Sequence, residues 1–288
     1  MSNVSLLEIS VSEESKVRDV VDAVTGVAKA IPVYQDIVQP AAQELGKALQ
    51  IVAKTVHIAL APVSALVWGY DQVKEFVSTK VADRLKNVPP ENIVTPKPNV
   101  AGPVLEALRY TGHEPLLSDL YANLLAASMD KSTANGALPA FVEIIKQLTP
   151  DEAKLVGLFI HERTMAFPLL NVRWEYKNPT PEKTGGSEVL VNFSQLGVIA
   201  HCEFPNMTPI YIDNICRLGL AEIPAMYQFT SEGVYDHLEN APEVQQKKSE
   251  IEQNPEFKFT IERRGLRVTE LGKQFARICV LRKSAQSL

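Results

Sequence analysis

Residues 100–163, VAGPVLEALRYTGHEPLLSDLYANLLAASMDKSTANGALPAFVEIIKQLTPDEAKLVGLFIHER, decide the fold of this chain. The spacing of their apolar residues predicts three closely spaced helices: one that ends near Thr111, one from Glu114 to about Asp130, and one from Leu138 to Gln147. Thr149-Pro150-Asp151-Glu152 has the form of a capping box and predicts the start of a fourth helix. The apolar faces of these helices can bury one another, so a core explains the pattern without any ligand.

The residues before this block also carry helical patterns. Apolar residues recur at helical spacing from Lys16 to Ile31, and Pro40 opens a second pattern of the same kind. The stretch Thr55–Tyr70, TVHIALAPVSALVWGY, contains no Asp, Glu, Lys or Arg. A helix from about Val63 to Lys86 then becomes amphipathic again.

The uncharged stretch has two interpretations. A helix that is apolar on all sides usually lies in a protein core, and this stretch, broken by Pro62, is shorter than the ~20 residues that span a bilayer. Alternatively, the stretch inserts into or lies on a membrane when triggered. The residues that would then contact a membrane or a partner are Val56, Leu60, Val63, Leu66, Val67 and Trp68.

The chain becomes strand-rich after Arg163. VRWEYKN (172–178) and SEVLVNF (187–193) alternate apolar and polar residues around a turn-rich connection, which predicts a β-hairpin. FKFTI (257–261) and LRV (266–268) alternate again on either side of Arg264-Gly265. A helix ending in Arg217-Leu218-Gly219-Leu220, a following β-hairpin and a last helix capped by Thr269 resemble a winged-helix unit.

We therefore expect a mainly α-helical protein, with a helical N-terminal region and a winged-helix-like α+β C-terminal domain. Five prolines in VPPENIVTPKPNVAGP (88–103) predict an extended linker between helical patterns. The predicted divisions are a helical region at 1–88 with its apolar segment at 55–70, a linker at 89–100, a helical domain at 101–147 and a winged-helix-like domain at 148–288.

Basic residues cluster between Lys258 and Lys283. On a winged helix they could follow a phosphate backbone, but the acidic stretch from Glu232 to Glu256 could also neutralise them. The helix before Leu220 offers only Arg217 as a cation able to read bases, which favours structure or protein contact over DNA. The residues assigned to a partner or to nucleic acid are Arg263, Arg264, Arg267, Lys273 and Arg277.

Motifs for catalysis and metal binding are missing from the sequence. His113-Glu114 and His161-Glu162 each begin an H-E-x-x-H zinc motif, but Leu117 and Met165 stand where its second histidine belongs. The sequence contains neither a phosphate-binding G-x-x-x-x-G-K-[ST] loop nor a G-x-S-x-G nucleophile motif. We therefore expect no metal site, no cofactor and no enzymatic activity.

Composition and charge bear on the protein's location in the cell and on its partners. A chain of 288 residues with a net charge of -5 has no global attraction to nucleic acid or to anionic lipid. Its three cysteines are widely spaced, as in a reducing cytosol, and its first residues lack the pattern of a signal peptide. We expect a cytoplasmic protein, which the membrane interpretation would place at the inner membrane surface on activation.

Two blocks of this sequence, GPVLEALRYTGHEPLLSDLYANLLAASMD (102–130) and PAFVEIIKQLTPDEAKL (139–155), resemble the Abi-alpha family, the abortive infection alpha proteins of bacteria. The resemblance extends to PVSALVWGYDQVKEF (62–76) and, more weakly, to TELGK (269–273). It implies a role in abortive infection, in which an infected cell stops growing or dies before phage is released. It carries over no catalytic residues, because its signatures are packing patterns.

Two main hypotheses about function follow, beside a third and weaker one, a cryptic enzyme such as a nuclease whose site is assembled from distant carboxylates. In the first, a phage-defence protein acts without catalysis, and its N-terminal region engages a membrane. In the second, a regulatory or adaptor component of a defence system binds a protein or nucleic acid through its C-terminal domain. The candidate partners are a second defence protein, a phage component, a membrane surface and another copy of the chain, with nucleic acid ranked lower.

Overall fold

The computed structural model describes residues 69–160 and 165–281. About half of these residues are helical, and the C-terminal part contains a four-stranded antiparallel sheet. By backbone proximity the described residues fall into two units, one formed by 69–113 and 124–142, the other by 114–123, 143–160 and 165–281. The domain boundaries read from the sequence stay a prediction.

The first unit begins with helices whose apolar residues recur at helical spacing. Helix α1 (Tyr70–Phe76) continues through a π-helical turn (Val77–Val81) into α2 (Ala82–Leu85), and α3 spans Pro98–Thr111. The buried residues that give these helices their apolar faces are Val73, Phe76, Val81, Leu85, Val100, Val104 and Leu108. The amphipathic helix predicted to end near Lys86 is therefore confirmed from Tyr70 onward, while its predicted start lies outside the described residues.

Part of the proline-rich segment is hydrogen-bonded to the end of the next long helix, α4 (Pro115–Met129). The backbone N–H of Val94 donates to the carbonyl of Met129 at 2.8 Å, and that of Lys131 donates to the carbonyl of Asn92 at 2.8 Å. Ile93 forms an isolated β-bridge with Asp130 between these two bonds. These residues of the predicted linker are therefore paired within the first unit.

Helices α4, α5 (Ala140–Lys146) and α6 (Pro150–Gly157) confirm the helices predicted from residues 114–163. The capping box at Thr149 is present: its hydroxyl accepts from the N–H of Glu152 at 3.2 Å, and the Glu152 carboxylate accepts from the N–H of Thr149 at 2.6 Å. Two of the four N–H groups left over at the helix start thereby gain partners. The buried side chains along these helices include Tyr121, Leu124, Leu125, Phe141, Ile145 and Leu155.

The sheet has the strand order β2-β1-β4-β3, with every neighbouring pair antiparallel. Its strands are β1 (Ala166–Tyr176), β2 (Gly186–Phe193), β3 (Ala221–Glu222) and β4 (Phe257–Val268). The predicted β1–β2 hairpin is confirmed. The two alternating stretches on either side of Arg264-Gly265 belong to one strand, because β4 runs through both residues and pairs with β1 from Tyr176↔Phe257 to Ala166↔Arg267.

The remaining helices of the second unit are short. They are α7 (Leu196–Ile199), α8 (Thr208–Arg217), α9 (Asp236–Glu239), α10 (Pro242–Glu252) and α11 (Glu270–Phe275). As predicted, Thr269 caps α11, since its hydroxyl accepts from the N–H of Gly272 at 3.0 Å. Leu170 and Val172 on one face of β1 pack into a core with side chains from α9 and α10, including Leu238 and Val244.

Candidate interaction surface

An apolar surface is concentrated on α7, the 3-10 turn Pro205–Met207 and the start of α8. Ten large apolar side chains are exposed among the described residues, and half of them fall between residues 198 and 210. These five, which we call the apolar surface, are Val198, Ile199, Phe204, Met207 and Ile210. Concentrations of exposed apolar residues mark interaction sites more often than isolated ones do.

Close backbone packing brings α7 against the start of α8. A Cβ atom added to Gly197 would lie 2.1 Å from Oγ1 of Thr208 and 3.1 Å from Cα of Pro205, so only glycine fits at this position. The hydroxyl of Thr208 is buried and donates to the carbonyl of Pro205 at 2.6 Å. The connection between the two helices is therefore held in one arrangement by contacts beneath the apolar surface.

A buried carboxylate holds the same connection from α6. The Asp151 carboxylate accepts from the N–H groups of Glu203 and Phe204 at 2.8 and 2.9 Å and from Nζ of Lys154 at 2.8 Å. Tyr211 on α8 donates its hydroxyl to the same carboxylate at 3.2 Å. Asp151 thus fixes the backbone that presents Phe204 and the helix that presents Ile210.

The electrostatics of this carboxylate follow from its partners. Burial acts to raise the pKa of Asp151, but the hydrogen bonds from Lys154, Glu203 and Phe204 outweigh it and lower the pKa to about 2. Burial and the hydrogen bond to Asp151 raise the pKa of Tyr211 to about 12. At neutral pH Asp151 is therefore charged and Tyr211 is a neutral donor. These are the protonation states that the hydrogen bonds between α6, α8 and the Glu203–Phe204 backbone require.

A second set of hydrogen bonds joins α8 to the start of α6. Asn214 donates its amide to the Glu152 carboxylate at 2.7 Å and to the carbonyl of Gln147 at 3.0 Å. Arg217 donates to Oδ1 of Asn214 at 2.6 Å and to Oε1 of Gln147 at 3.0 Å. The one cation that the sequence offered for reading bases is consequently engaged within the protein.

Left-handed backbone conformations mark both ends of the segment that carries α7. Asn192 has φ 51° and His201 has φ 53°, values that a non-glycine residue seldom adopts. The buried Asn192 is held by its N–H, which donates to Oδ1 of Asn171 at 2.9 Å, and by its amide, which donates to Asp213 at 3.0 Å. Such conformations persist where surrounding contacts fix them and are concentrated at functional sites.

The outward face of α8 is apolar and acidic rather than basic. Ile210, Asp213 and Arg217 are its exposed residues, spaced one helical turn apart, and Arg217 is engaged as described above. A helix that enters the major groove usually presents several free donors to base edges. This face therefore suits contact with a protein better than contact with DNA.

The basic cluster predicted from the sequence forms ion pairs along β4 and α11. Arg263 contacts Glu239 at 2.6 Å, Arg267 contacts Glu222 at 2.7 Å and Lys273 contacts Glu270 at 2.5 Å. Arg264 lies 4.0 Å from Glu262, and Arg277 is exposed without an ion pair in the part of the chain that the structure describes. Four of these five cations thus lie beside a carboxylate, and two of them, Arg263 and Arg267, pair with carboxylates that are distant in sequence.

The other predicted contact residues, Val56, Leu60, Val63, Leu66, Val67 and Trp68, lie outside the described residues. Across 69–160 and 165–281, no helix has the length and apolarity needed to cross a bilayer. Within the same ranges, no group of three or more His, Cys, Asp or Glu residues is arranged to hold a metal ion.

Reasoning from the sequence did not identify the apolar surface. Its residues come from two short helices and a turn, so their spacing follows neither a helical nor a strand period. The available signal was the density of large apolar residues, in GVIAHCEFPNMTPIYI (197–212), across a segment too short for a long helix.

Comparisons with known proteins identify one family. The family model described as abortive infection alpha matches residues 69–279. No curated protein matches this chain. A solved structure, that of an uncharacterized protein from the hydrocarbon-degrading marine bacterium Alcanivorax borkumensis SK2, is similar with 21% sequence identity and a TM-score of 0.33. The matched region covers 49% of this chain and 93% of the chain in that structure.

Proposed function

This chain belongs to the abortive infection alpha family, and we propose that it protects bacteria from phage without catalysis, by binding another protein through its apolar surface. The family suggests a role in abortive infection defence. The mode of action is inferred from the second unit. It corresponds to the adaptor hypothesis drawn from the sequence, with the contact moved from the basic cluster to α7 and α8.

One observation carries this proposal: buried polar groups hold apolar side chains in solvent. Asp151, Asn192 and Thr208 are almost fully buried, while Phe204 and Ile210 have more than half of their surface exposed. A loop that served only as a connection would gain stability by turning these side chains inward. A fixed apolar surface loses little conformational freedom on binding, which favours association with a partner.

The winged-helix interpretation is compatible with this proposal. In that interpretation α8 occupies the position of the recognition helix and leads through the Leu218-Gly219-Leu220 turn into the short strand β3. Gly219 has φ 74°, so this turn uses the conformational freedom of glycine. We propose that α8 serves here as a protein-binding helix, because its exposed residues are Ile210, Asp213 and the engaged Arg217.

Membrane engagement by residues 55–70 stays a prediction from the sequence. It is tested by replacing Val63 and Leu66 with glutamate in the full-length protein, because charges in an inserted segment oppose transfer into hydrocarbon. Loss of protection together with loss of membrane association, in a folded protein, would favour that mode of action. These two substitutions leave the apolar surface intact, so the two modes of action can be told apart.

The decisive experiment replaces Phe204 and Ile210 with aspartate and measures plaque formation by a phage panel on bacteria that express the protein. We expect plaque counts to rise to those of a host that lacks the protein. The matched control is Met226→Asp, because Met226 is 99% exposed in the same unit but lies outside the apolar surface. Its protection should be unchanged.

Both variants should keep their fold, since polar substitutions at exposed positions usually change stability by less than about 0.5 kcal/mol. Circular dichroism and the melting temperature check this. Full protection by a folded Phe204→Asp/Ile210→Asp variant would refute the proposed mode of action. Equal loss in the Met226→Asp control would also count against it, because the effect would then not be specific to the apolar surface.

A further inference from the structure

We infer that the protein segment bound by the apolar surface carries lysine or arginine side chains, which contact Glu203 and Asp213. This inference rests on the proposed function and specifies the chemistry of the partner. The two carboxylates are exposed, and each lies beside an apolar side chain that would be buried on binding. Glu203 directly precedes Phe204, and Asp213 follows Ile210 by one turn of α8.

The charge of these two carboxylates is not balanced locally. In the part of the chain that the structure describes, neither Glu203 nor Asp213 forms an ion pair. Lys154 is the nearby cation, but it contacts the Asp151 carboxylate at 2.8 Å. Arg217 is hydrogen-bonded to the neutral side chains of Asn214 and Gln147, so it keeps its positive charge. Lys154 and Arg217 are nevertheless outnumbered by the carboxylates of Asp151, Glu152, Glu203 and Asp213. The apolar surface is therefore accompanied by net negative charge, in contrast to the paired charges along β4.

One of the two carboxylates is also held in position. Asp213 accepts a hydrogen bond from the amide of Asn192 at 3.0 Å, and Asn192 is itself fixed by Asn171. A held carboxylate loses little freedom when it contacts a cation, so more of the electrostatic attraction remains as affinity. The position of Asp213 beside Ile210 thus suits a basic residue placed next to an apolar one in the partner.

The same charges argue against three other occupants of the surface. An anionic lipid surface attracts lysine and arginine, whereas here it would meet carboxylates. Nucleic acid would be repelled for the same reason. A second copy bound about a two-fold axis would bring the acidic residues of both copies into one interface, where like charges oppose association. A basic, partly apolar protein segment is left as the complementary partner.

The test uses the full-length protein and two synthetic amphipathic peptides as probes. The peptides share the same leucine positions and differ only in flanking residues, which are lysine in one and glutamate in the other. Binding is measured by fluorescence anisotropy at low and high salt. We expect the lysine peptide to bind about tenfold more tightly at low salt, as two exposed charge pairs would give, and the preference to shrink at high salt.

Charge variants locate the effect. Glu203→Lys/Asp213→Lys should reverse the preference, and Glu203→Gln/Asp213→Asn should remove it while keeping an acceptor oxygen for Asn192. The control is Glu243→Lys/Glu252→Lys on α10, which makes the same change in net charge at exposed positions elsewhere in the unit. Its preference for the lysine peptide should persist, because the effect depends on local charge.

The outcomes separate this inference from the proposed function. If the two peptides bind equally and Phe204→Asp/Ile210→Asp abolishes the binding, the charge inference is overturned and the apolar surface remains the binding site. If neither peptide binds, the result counts against the apolar surface as a binding site. Binding to phosphatidylglycerol vesicles through the same residues, or self-association lost in Phe204→Asp/Ile210→Asp, would replace the basic protein segment with lipid or with a second copy.

Discussion

Helix α4 and residues 192–210 place their apolar side chains in opposite ways. Along α4, Tyr121, Leu124 and Leu125 are completely buried, so the apolar residues form the core. In residues 192–210, the polar groups of Asn192 and Thr208 are buried, while apolar side chains such as Phe204 are exposed. The first arrangement stabilises the fold, whereas the second uses hydrogen bonds to maintain a surface.

The difference separates a region that stabilises the fold by packing from one that we propose binds a partner. Burial of large apolar side chains accounts for α4 fully, because each contributes about 1.5–3 kcal/mol before conformational entropy is counted. Residues 192–210 forgo part of that gain and rely on buried hydrogen bonds, each of which contributes only about 1 kcal/mol net. Mutations should therefore affect stability in α4 and binding in residues 192–210.

The largest loss of stability is expected for Leu125→Ala in α4. Leu125 has no exposed surface, and truncation of a buried leucine costs about 2–5 kcal/mol through lost transfer energy and the remaining cavity. Leu116 on the same helix is 40% exposed, so Leu116→Ala is the matched control with an expected cost below about 1 kcal/mol. Urea unfolding followed by circular dichroism measures both. Similar losses in the two variants would contradict the assignment of Leu125 to the core.

A smaller effect is expected from acid at Asp151. Its pKa is lowered from 3.8 to about 2 in the folded protein, so its contribution to stability is complete above pH 4 and is lost as the pH falls toward 2. A shift of this size corresponds to about 2 kcal/mol. The free energy of unfolding of the native protein should therefore fall by that amount more than that of Asp151→Asn over this range. Parallel pH profiles would show that Asp151 does not hold the Glu203–Phe204 backbone.

Reasoning from the sequence correctly predicted elements whose structure depends on residues close to one another in the sequence. The helices between Pro98 and Gly157 were predicted because apolar spacing and the Thr149 capping box are local signals. It did not show that the alternating stretches on either side of Gly265 form a single strand. Gly265 lies inside β4, where an added Cβ would come within 2.7 Å of the Tyr227 ring, a contact set by distant residues. A glycine needed for close approach has the same appearance in sequence as one needed for a turn.

The candidate site shows the same limit. The sequence indicated that the acidic stretch from Glu232 to Glu256 could neutralise the basic cluster, and Glu239 in that stretch does pair with Arg263. The partner of Arg267 is Glu222, which lies outside that stretch and 45 residues away, so this pairing could not be read from the sequence. The backbone N–H of Phe204, whose side chain is exposed, donates to Asp151, which is 53 residues away. Residue type alone does not distinguish an apolar side chain in a core from one held in solvent.

The capping box links the two regions and should give an intermediate effect. Thr149→Ala removes the acceptor for the N–H of Glu152, and loss of such a cap costs about 1 kcal/mol. Glu152 also accepts from Asn214, so the start of α6 supports the position of α8. Thr149→Ser keeps the hydroxyl and serves as the control, with stability close to that of the native protein. Thermal unfolding distinguishes the two, and an unaltered Thr149→Ala protein would show that the cap contributes nothing.

The smallest change in stability is expected at Ile210, and the buried Ile212 on the same helix provides the comparison. Ile210 is 56% exposed, so Ile210→Thr should alter the free energy of unfolding by less than about 0.5 kcal/mol. Ile212, two residues later on α8, is fully buried, and Ile212→Thr should destabilise the protein clearly because it buries a hydroxyl and removes apolar contacts. Urea unfolding of the pair provides the measurement. If Ile210→Thr lowered the free energy of unfolding as much as Ile212→Thr, Ile210 would belong to the core and not to the apolar surface.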